Sequence, residues 1–264
     1  MSGIKRKIAL YQGGGVLGGV AENLEIMREA VSEAKLAGAE LVIFPELILS
    51  GYNLGAQTPA LAEAADGAAA KRVADMARSY GIAIVYGYPE RDGEGIFNSS
   101  QFFTRSGASL LNYRKCQLYG PWEKDTFETG DGFQLADWEG LKVGLLICYD
   151  IEFPEAARCL AAAGADLILV SSATPAPQTE VSEVLLPARA CENQVFVVFC
   201  NRCGREGDLV YCGGSCVVGP DGRDRARVTR EEGLLFAEID SADIARQRDI
   251  YCYLDDLRRE IYRA

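Results

Sequence analysis

The sequence has no histidine among its 264 residues. This absence excludes Ser-His-Asp and Cys-His catalysis within the chain, together with every zinc site that needs an imidazole ligand. A general base would have to be an aspartate, a glutamate, a lysine, a tyrosine or another cysteine. The absence of one residue type therefore narrows the possible chemistry considerably.

The sequence also lacks a long apolar run, because none approaches the roughly 18 residues that a membrane-spanning helix needs. The basic segment Met1–Lys7 leads into a short strand and not into the apolar stretch of a secretory signal. We therefore expect a cytoplasmic protein with no membrane partner, in which the nine cysteines are mostly reduced.

Positive charge is scarce: the chain has 27 lysines and arginines but 38 aspartates and glutamates, which gives a formal net charge of −11. An acidic surface repels the phosphate backbone of nucleic acids, so no nucleic-acid partner is expected. The acidic residues are dispersed and are interpreted as a solvated surface. With 48% apolar residues, a chain of this length can bury the core of one domain.

The order of strand and helix patterns predicts an α/β protein. Strands alternate with helices at first and a hairpin follows, which indicates a mixed sheet with helical cover. Helices are predicted over Thr58–Tyr80, with Gly81 as the C-cap, and over Glu180–Ala190. No repeat or linker divides residues 1–264, which predicts a single domain. The charged and aromatic segment 241–264 is predicted to be a C-terminal extension at a subunit interface.

A glycine-rich loop follows the first predicted strand. Gly13, Gly15 and Gly18 form the pattern G-x-G-x-x-G between a strand and a helix, which is the context of a dinucleotide-binding site. An acidic residue for the ribose should follow about 20 residues later. The nearest candidate at a strand end, Glu46, lies 28 residues after Gly18. This spacing favours a flexible loop without a nucleotide.

The apolar run Val143–Ile147 predicts a buried strand that ends at Cys148, and a helix pattern begins at Pro154. Open α/β sheets place their sites at the carboxyl ends of such strands. Cys148 is therefore a candidate nucleophile. The alternative is that it serves as a small buried apolar residue, as most free cysteines do.

Two further polar residues follow predicted strands. Glu46 comes after the second strand, where apolar neighbours should raise its pKa toward the range of a general base, and Lys115 ends the hairpin. Glu46 could accept the thiol proton of Cys148, while Lys115 would favour the thiolate and stabilise an oxyanion. A buried lysine needs carboxylate partners, and Glu123 in the long connection Asn112–Gly130 is a candidate for the second one.

Three blocks around these residues, Phe44–Leu47, Tyr113–Lys115 and Cys148–Glu155, resemble the regions around the Glu, Lys and Cys of the nitrilase, or carbon–nitrogen hydrolase, superfamily. The agreement continues through the blocks Ala188–Gln194, Asn201–Gly204 and Gly213–Gly222. The resemblance implies a four-layer α-β-β-α sandwich of two mixed β-sheets with helices outside. It also implies homodimers or larger assemblies of dimers.

The resemblance assigns a role to each residue of the site. Glu46 would be the general base, Lys115 the oxyanion stabiliser and Cys148 the nucleophile. The backbone N–H of Tyr149 would be the second oxyanion donor, and Glu123 would orient the lysine. No metal ion or organic cofactor is implied.

One residue departs from the family pattern. Many members carry histidine two residues after the lysine, whereas this chain has Gln117. That position is usually supportive and not catalytic, so the assignment of the site stands, although the hydrogen bonding of the loop would differ.

The segments around Lys115 and Ala173–Arg189 are most similar to members that hydrolyse small aliphatic amides. The predicted substrate is a small amide, converted to carboxylic acid and ammonia through a thioester on Cys148. Residues expected to line the acyl pocket, from their positions in loops, are Tyr52, Trp122, Tyr149, Glu152, Phe153 and Thr174.

Three alternatives remain open at this stage. An N-carbamoyl amidohydrolase would need a cationic clamp for an acidic substrate, for which Arg158, Arg189 and Arg202 are available unless they pair with neighbouring carboxylates. A true nitrilase would act on C≡N. A non-catalytic binding protein or thiol sensor could also keep the fold.

Overall fold

The computed structural model of the protein describes residues 3–262. In this part of the chain, two six-stranded sheets and a two-stranded hairpin form. The strands are Lys5–Gln12 (β1), Leu41–Ile43 (β2), Ala83–Asp92 (β3), Gly95–Phe103 (β4), Ser109–Arg114 (β5), Leu135–Trp138 (β6), Leu141–Ile147 (β7), Leu167–Ser172 (β8), Phe196–Asn201 (β9), Cys203–Glu206 (β10), Leu209–Cys212 (β11), Cys216–Val218 (β12), Asp224–Arg227 (β13) and Gly233–Asp240 (β14). The α-helices are Val20–Leu36 (α1), Ala68–Tyr80 (α2), Gly120–Thr126 (α3), Pro154–Ala162 (α4), Leu186–Asn193 (α5), Ser241–Ile250 (α6) and Tyr253–Asp256 (α7).

The two large sheets share one design. The first has the order β14-β1-β2-β3-β4-β5 and the second β13-β12-β9-β8-β7-β6. In each, three central strands are parallel and the outer neighbours are antiparallel. The parallel pairs are joined by helical crossovers, as such connections require.

Alternation along the strands separates the layers. Ile8 and Leu10 of β1 belong to the core between the two sheets, while Ala9 and Tyr11 face α1 and α2. Side chains of α4 and α5 cover the outer face of the second sheet. The predicted sandwich of two mixed sheets with helices outside is confirmed.

The predicted helix Thr58–Tyr80 is wrong in its first half. Residues Gly55–Leu61 form a 3₁₀ helix and the α-helix begins only at Ala68. Between them, the backbone of Glu63 pairs with the end of β3: its N–H donates to the Pro89 carbonyl, and its carbonyl accepts from Arg91. This tertiary pairing outweighs the helical preference of the local sequence. Gly81 does lie in the left-handed region as the C-cap, with φ +61°.

The predicted helix Glu180–Ala190 also differs from the structure. Val181–Leu185 form a wider π-helical turn, and regular α-helix begins at Leu186. Pro187 has no N–H to donate to the preceding turn, so the regular bonding pattern is interrupted there. The β10–β11 hairpin was not predicted from the sequence.

The end of the chain is only partly in the core. Ile244 of α6 is buried, whereas the side chains of Ile250, Tyr251, Tyr253 and Ile261 are 42–64% exposed. The predicted extension includes residues 263–264, which lie outside the described residues. Among the helices described, none is long and apolar enough to cross a membrane.

Candidate active site

The carboxyl ends of β2, β5 and β7 carry Glu46, Lys115 and Cys148. β5 is antiparallel to β4, and β4 to β3, so β5 runs in the same direction as β2 and β3. Lys115 therefore emerges at the same edge of the first sheet as Glu46. Glu46 and Lys115 are completely buried, and Cys148 is 7% exposed.

Lys115 bridges two carboxylates. Its Nζ lies 2.7 Å from Glu46 Oε1 and 2.8 Å from Glu123 Oε1, and none of the three side chains is exposed. Burial alone would lower the pKa of Lys115, but the charges of Glu46 and Glu123 outweigh it and hold the pKa above its ordinary value. The lysine therefore stays cationic, as a buried ammonium must be when it is paired. The predicted pairing of Lys115 with two carboxylates is confirmed.

Glu123 is held from several sides. Its Oε1 accepts the Tyr52 hydroxyl at 2.6 Å, and its Oε2 accepts the Tyr119 N–H at 2.7 Å. Both oxygens are thus occupied by donors, and the carboxylate is oriented toward Lys115. Tyr52, predicted to line the acyl pocket, is placed beside Lys115 through this contact, and its ring packs edge-on against Trp122 at 4.9 Å.

Glu46 has one occupied oxygen and one free oxygen. Asn98 Nδ2 and Lys115 Nζ both donate to Oε1 at 2.7 Å. Oε2 is buried and has no hydrogen-bond partner within residues 3–262. Burial raises the pKa of Glu46. The Lys115 charge opposes this shift and the Glu123 charge reinforces it, so the pKa stays above its ordinary value. The predicted upward shift is confirmed, and a buried, unpaired carboxylate oxygen is suited to accept a proton.

The backbone around Glu46 is tightly constrained. Leu47 has φ +50°, which is unfavourable for a residue with a side chain. Arg202 secures this conformation, since its Nε donates to the Glu46 carbonyl at 3.0 Å and its Nη2 to the Leu47 carbonyl at 2.8 Å. Gly87 passes so close that a Cβ there would lie 2.5 Å from the Leu47 nitrogen.

Cys148 begins a short 3₁₀ helix, Cys148–Glu152, with φ +46°. Burial and the Glu46 charge raise the pKa of the Cys148 thiol to about 12, although Lys115 opposes the shift. The expected effect of Lys115 is therefore present, but burial prevails and the thiol is protonated at rest. A thiol of this kind needs a base at the moment of reaction.

The backbone N–H of Tyr149 lies in the first turn of that 3₁₀ helix, where N–H groups have no helical acceptor. It is therefore available to a ligand bound at Cys148. The Tyr149 ring packs edge-on against Tyr119 at 5.2 Å and Phe153 at 4.9 Å. Tyr149 and Phe153 also line a surface cleft of about 520 Å³.

Of the remaining predicted pocket residues, Thr174 contacts the thiol. Thr174 Oγ1 is 3.7 Å from Cys148 Sγ and is buried. Trp122 has a buried Nε1 without an acceptor in the described part of the chain. Glu152, at the end of the short helix, is half-buried, and burial together with the Glu180 charge raises its pKa. The structure therefore places Thr174 at the thiol, and Trp122 beside Glu123 on α3, against the Tyr52 ring.

Several residues of the site were not found from the sequence. Asn98 orients Glu46, and Asn201 Oδ1 accepts the Thr174 N–H at 2.8 Å, which fixes the loop beside Cys148. Both follow or lie in predicted strands but carry no spacing that marks them out. Only their position beside charged or reacting groups gives them a role.

Two of the three arginines proposed for a carbamoyl clamp are engaged by backbone carbonyls, and the third lies on the outer helix α4. Arg189 donates to the carbonyls of Ile151 and Glu152 at 3.1 and 2.8 Å, and so supports the short helix after Cys148. Arg202 binds the Glu46 turn. Arg158 lies on α4 beside the C-terminal segment, with Leu257 and Tyr253. None of the three is placed as a cationic clamp around Cys148.

The glycine-rich loop has a packing explanation. Asn23 of α1 accepts the Val16 N–H at 2.6 Å and donates to the Val16 and Leu49 carbonyls. A Cβ at Gly15 would lie 2.4 Å from Asn23 Oδ1, so glycine is needed for this close approach. The side chain of Asn23 therefore holds the loop in one conformation, and the expectation of a flexible loop is wrong.

Comparisons with known proteins agree with this site. Residues 7–249 match the model of the carbon-nitrogen hydrolase family. A hydrolase in the pqqF 5′ region of Pseudomonas protegens is 44% identical, over 99% of this chain and 93% of its own. An (R)-stereoselective amidase of a Pseudomonas species is 39% identical, over 96% of this chain and 91% of its own.

Among solved structures, an amidase from Nesterenkonia sp. superposes with a TM-score of 0.85 at 36% identity, covering 97% of this chain and 95% of the amidase. A mutant of that amidase was solved in complex with butyramide. Another shows covalent addition of the acetamide moiety of fluoroacetamide at the active site cysteine.

The chain therefore belongs to the carbon–nitrogen hydrolase family. Within that family its similarity to amidases across almost its whole length makes it an amidase with an active-site cysteine. Both expectations from the sequence motifs are confirmed.

Replacing Glu123 by glutamine tests its supporting role. We expect kcat to fall about 10- to 100-fold, because the neutral glutamine no longer orients Lys115. KM should change little, because residue 123 contacts Lys115 and not the substrate. Steady-state ammonia release from a short-chain amide measures both constants. Glu128→Gln, on an exposed residue of the same connection, is the matched control. An unchanged rate in Glu123→Gln would refute the role.

Proposed function

We propose that the protein hydrolyses small aliphatic amides to the carboxylic acid and ammonia through a thioester on Cys148. The observation that carries this proposal is the state of Glu46. Lys115 and Asn98 occupy its Oε1, whereas Oε2 is buried and unpaired within the described residues, and the Glu46 charge helps to raise the pKa of the Cys148 thiol. A base and a nucleophile are thus poised together without histidine.

In the acylation half, Glu46 takes the proton of the Cys148 thiol, and the sulfur attacks the amide carbonyl carbon. Lys115 Nζ and the Tyr149 N–H donate to the oxyanion that forms, each contributing about 2.7–4 kcal/mol as in comparable sites. The C–N bond then breaks, the nitrogen takes the proton from Glu46, and ammonia leaves. A thioester remains on Cys148.

In the deacylation half, Glu46 removes a proton from water, and the resulting hydroxide attacks the thioester carbonyl. The same two donors stabilise the second oxyanion. The C–S bond breaks, the sulfur recovers the proton from Glu46, and the carboxylic acid is released. No step in this scheme requires a metal ion or an organic cofactor.

The surroundings of the site favour a small, uncharged acyl group. An apolar cluster that includes Leu47, Tyr52, Leu118 and Tyr211 packs beside the reacting groups, with Trp122 at its edge. The butyramide and fluoroacetamide bound by the related amidase are small amides, which supports the same substrate class here. The engagement of Arg189 and Arg202 by backbone carbonyls argues against a carbamoyl substrate with an acidic group.

A panel of amides tests the substrate class. We expect ammonia release from short aliphatic amides such as propionamide and butyramide, and at least about 10-fold lower kcat/KM for nitriles and for N-carbamoyl amino acids. The carbamoyl compounds should be poor substrates because none of Arg158, Arg189 and Arg202 is placed to bind a carboxylate at Cys148. Intact-mass measurement during turnover should show an acyl adduct that maps to Cys148. Faster hydrolysis of a carbamoyl compound or a nitrile would contradict the assignment, and a protein without turnover or adduct would favour a binding or sensing role.

We also propose that the chain forms a homodimer in which the segment after β14 lies at the interface. Ile250, Tyr251, Tyr253 and Ile261 are exposed in the single chain, which is unusual for large apolar side chains gathered in one segment. Light scattering coupled to size exclusion should give a mass near twice the 28.6 kDa of the chain. Replacing Tyr251 and Tyr253 by aspartate should weaken the dimer, and a monomer for the unmodified chain would refute the proposal.

A further inference from the structure

The buried aspartate after Cys148 makes three hydrogen bonds that the reaction scheme does not use. Asp150 is completely buried. Its Oδ1 accepts the Gln117 N–H at 2.8 Å. Its Oδ2 accepts the Tyr113 hydroxyl at 2.8 Å and the Ile147 N–H at 3.0 Å. The backbone N–H groups of Gln117 and Ile147 require an acceptor at Oδ1 and at Oδ2, and an ionised carboxylate supplies acceptors at both oxygens.

The donors to Asp150 lie on the two segments that carry the reacting groups. Tyr113 and Gln117 stand two residues before and after Lys115, and Ile147 directly precedes Cys148. These segments belong to different sheets. A single carboxylate therefore ties the end of β5 in the first sheet to the turn after β7 in the second.

We propose that Asp150 is a positioning residue, whose ionised carboxylate holds the Lys115 segment against the Cys148 turn and so sets the distance between oxyanion donor and nucleophile. The inference rests on the proposed amidase function and adds a further requirement to it. Asp150 touches no substrate atom, and it acts through the placement of Lys115 and Cys148.

The charge of Asp150 can change within the range in which enzymes are assayed. Burial raises the pKa of Asp150 to about 6, opposed by the Lys115 charge and by the three hydrogen bonds. The titratable and charged groups facing it are Tyr113 on β5 and, beyond the end of that strand, Lys115 and Cys116. Tyr113 stays protonated, since burial and the Asp150 charge hold its pKa far above the ordinary value. Protonation of Asp150 removes the negative charge that strengthens all three bonds, and a proton on Oδ1 would face the Gln117 N–H, which is itself a donor.

The substitution Asp150→Asn removes the charge at nearly constant volume. Its amide group must point an NH₂ at one of the three donors, so the two segments should separate. We expect kcat for butyramide to fall about 100-fold, as a misplaced catalytic group does, while KM changes less than about threefold. Asp137→Asn is the matched control, because Asp137 also accepts a backbone N–H, from Gly140 at 2.9 Å, in an exposed hairpin away from the site.

The substitution Tyr113→Phe is gentler and tests the ionisation directly. It removes one donor to the ionised carboxylate, which should raise the pKa of Asp150 and move the acid limb of kcat/KM by about half a pH unit or more toward higher pH. Glu46 accepts no hydrogen bond from Tyr113, so an acid limb set by Glu46 would not move. A purely structural role of Asp150 would lower stability without shifting the limb.

The pH dependence of Cys148 alkylation by iodoacetamide, followed by peptide mass spectrometry, gives a second readout that needs no amide turnover. The proposal is supported if Asp150→Asn loses kcat with KM nearly unchanged and if the acid limb of the Tyr113→Phe profile moves to higher pH. Wild-type kcat in Asp150→Asn, or an unmoved limb in Tyr113→Phe, overturns it. Should Asp150→Asn fail to fold, Tyr113→Phe decides. A wild-type protein without amide turnover refutes the proposed function instead, and the alkylation profile of Tyr113→Phe still decides on Asp150.

Discussion

Replacing Cys148 by alanine should abolish amide hydrolysis, with a loss in kcat of about 10⁴-fold or more, as expected when a covalent nucleophile is removed. The alanine keeps the backbone but offers no atom that can attack the carbonyl. Lys115 and the Tyr149 N–H would still polarise the amide, yet Glu46 would have only water to activate. The protein should remain folded, because the substitution removes only one sulfur atom from a side chain that is slightly exposed.

Ammonia release and intact-mass measurement on the Cys148→Ala protein check this expectation. The matched control is Cys216→Ala, which removes an equally small buried thiol from β12 in the core, away from the Glu46–Lys115 pair. That variant should retain the wild-type rate and lose some stability. Amide turnover in Cys148→Ala close to that of the control would show that another group is the nucleophile.

Replacing Lys115 by methionine should damage both activity and stability. The loss of one oxyanion donor is expected to lower kcat about 10²- to 10³-fold. In addition, Glu46 and Glu123 would be left as buried carboxylates without their shared cation, at 2.7 and 2.8 Å from its former position. Breaking a buried ion pair in this way costs about 3–5 kcal/mol of unfolding free energy.

Denaturant unfolding and steady-state kinetics measure the two effects separately. Lys71→Met changes an exposed lysine of α2, away from the site, and should leave both quantities nearly unchanged. The double variant Lys115→Met with Glu123→Gln removes one of the two orphaned charges, so it should recover part of the stability and none of the activity. A Lys115→Met protein as stable as the Lys71→Met control would contradict the interpretation of Glu46, Lys115 and Glu123 as a charge-balanced cluster.

Cys148 could be predicted as a candidate nucleophile because the pattern that marks it is local. The predicted strand Val143–Ile147 lies within the strand Leu141–Ile147 of the structure and ends at the same residue, since an apolar segment between turn residues has few alternatives. Glu46 and Lys115 were found in the same way, as polar residues at strand ends. Without histidine, few other residue types could serve Cys148, and the resemblance of the three blocks then named the family.

Local patterns failed where a distant segment supplied a better partner. Residues 62–67 could have continued a helix, but the Glu63 backbone pairs with β3 instead. The β10–β11 hairpin was not predicted either. Its Glu206 accepts a hydrogen bond from the buried Arg202 at 3.1 Å, a contact that the local sequence does not indicate. Neither outcome is encoded in a short window of sequence, because each depends on what the rest of the chain places nearby.

The sequence by itself determined the residue types that can react here, the strand ends that carry them and the family to which the chain belongs. The tertiary structure alone decided how those groups behave. Asn98 reaches Glu46 across 52 residues of sequence, and Arg202 reaches the Glu46 carbonyl across 156. Burial keeps the Cys148 thiol protonated, and Asp150 joins two sheets beside it. Desolvation and hydrogen bonding depend on neighbours in space, and no spacing along the chain contains that information.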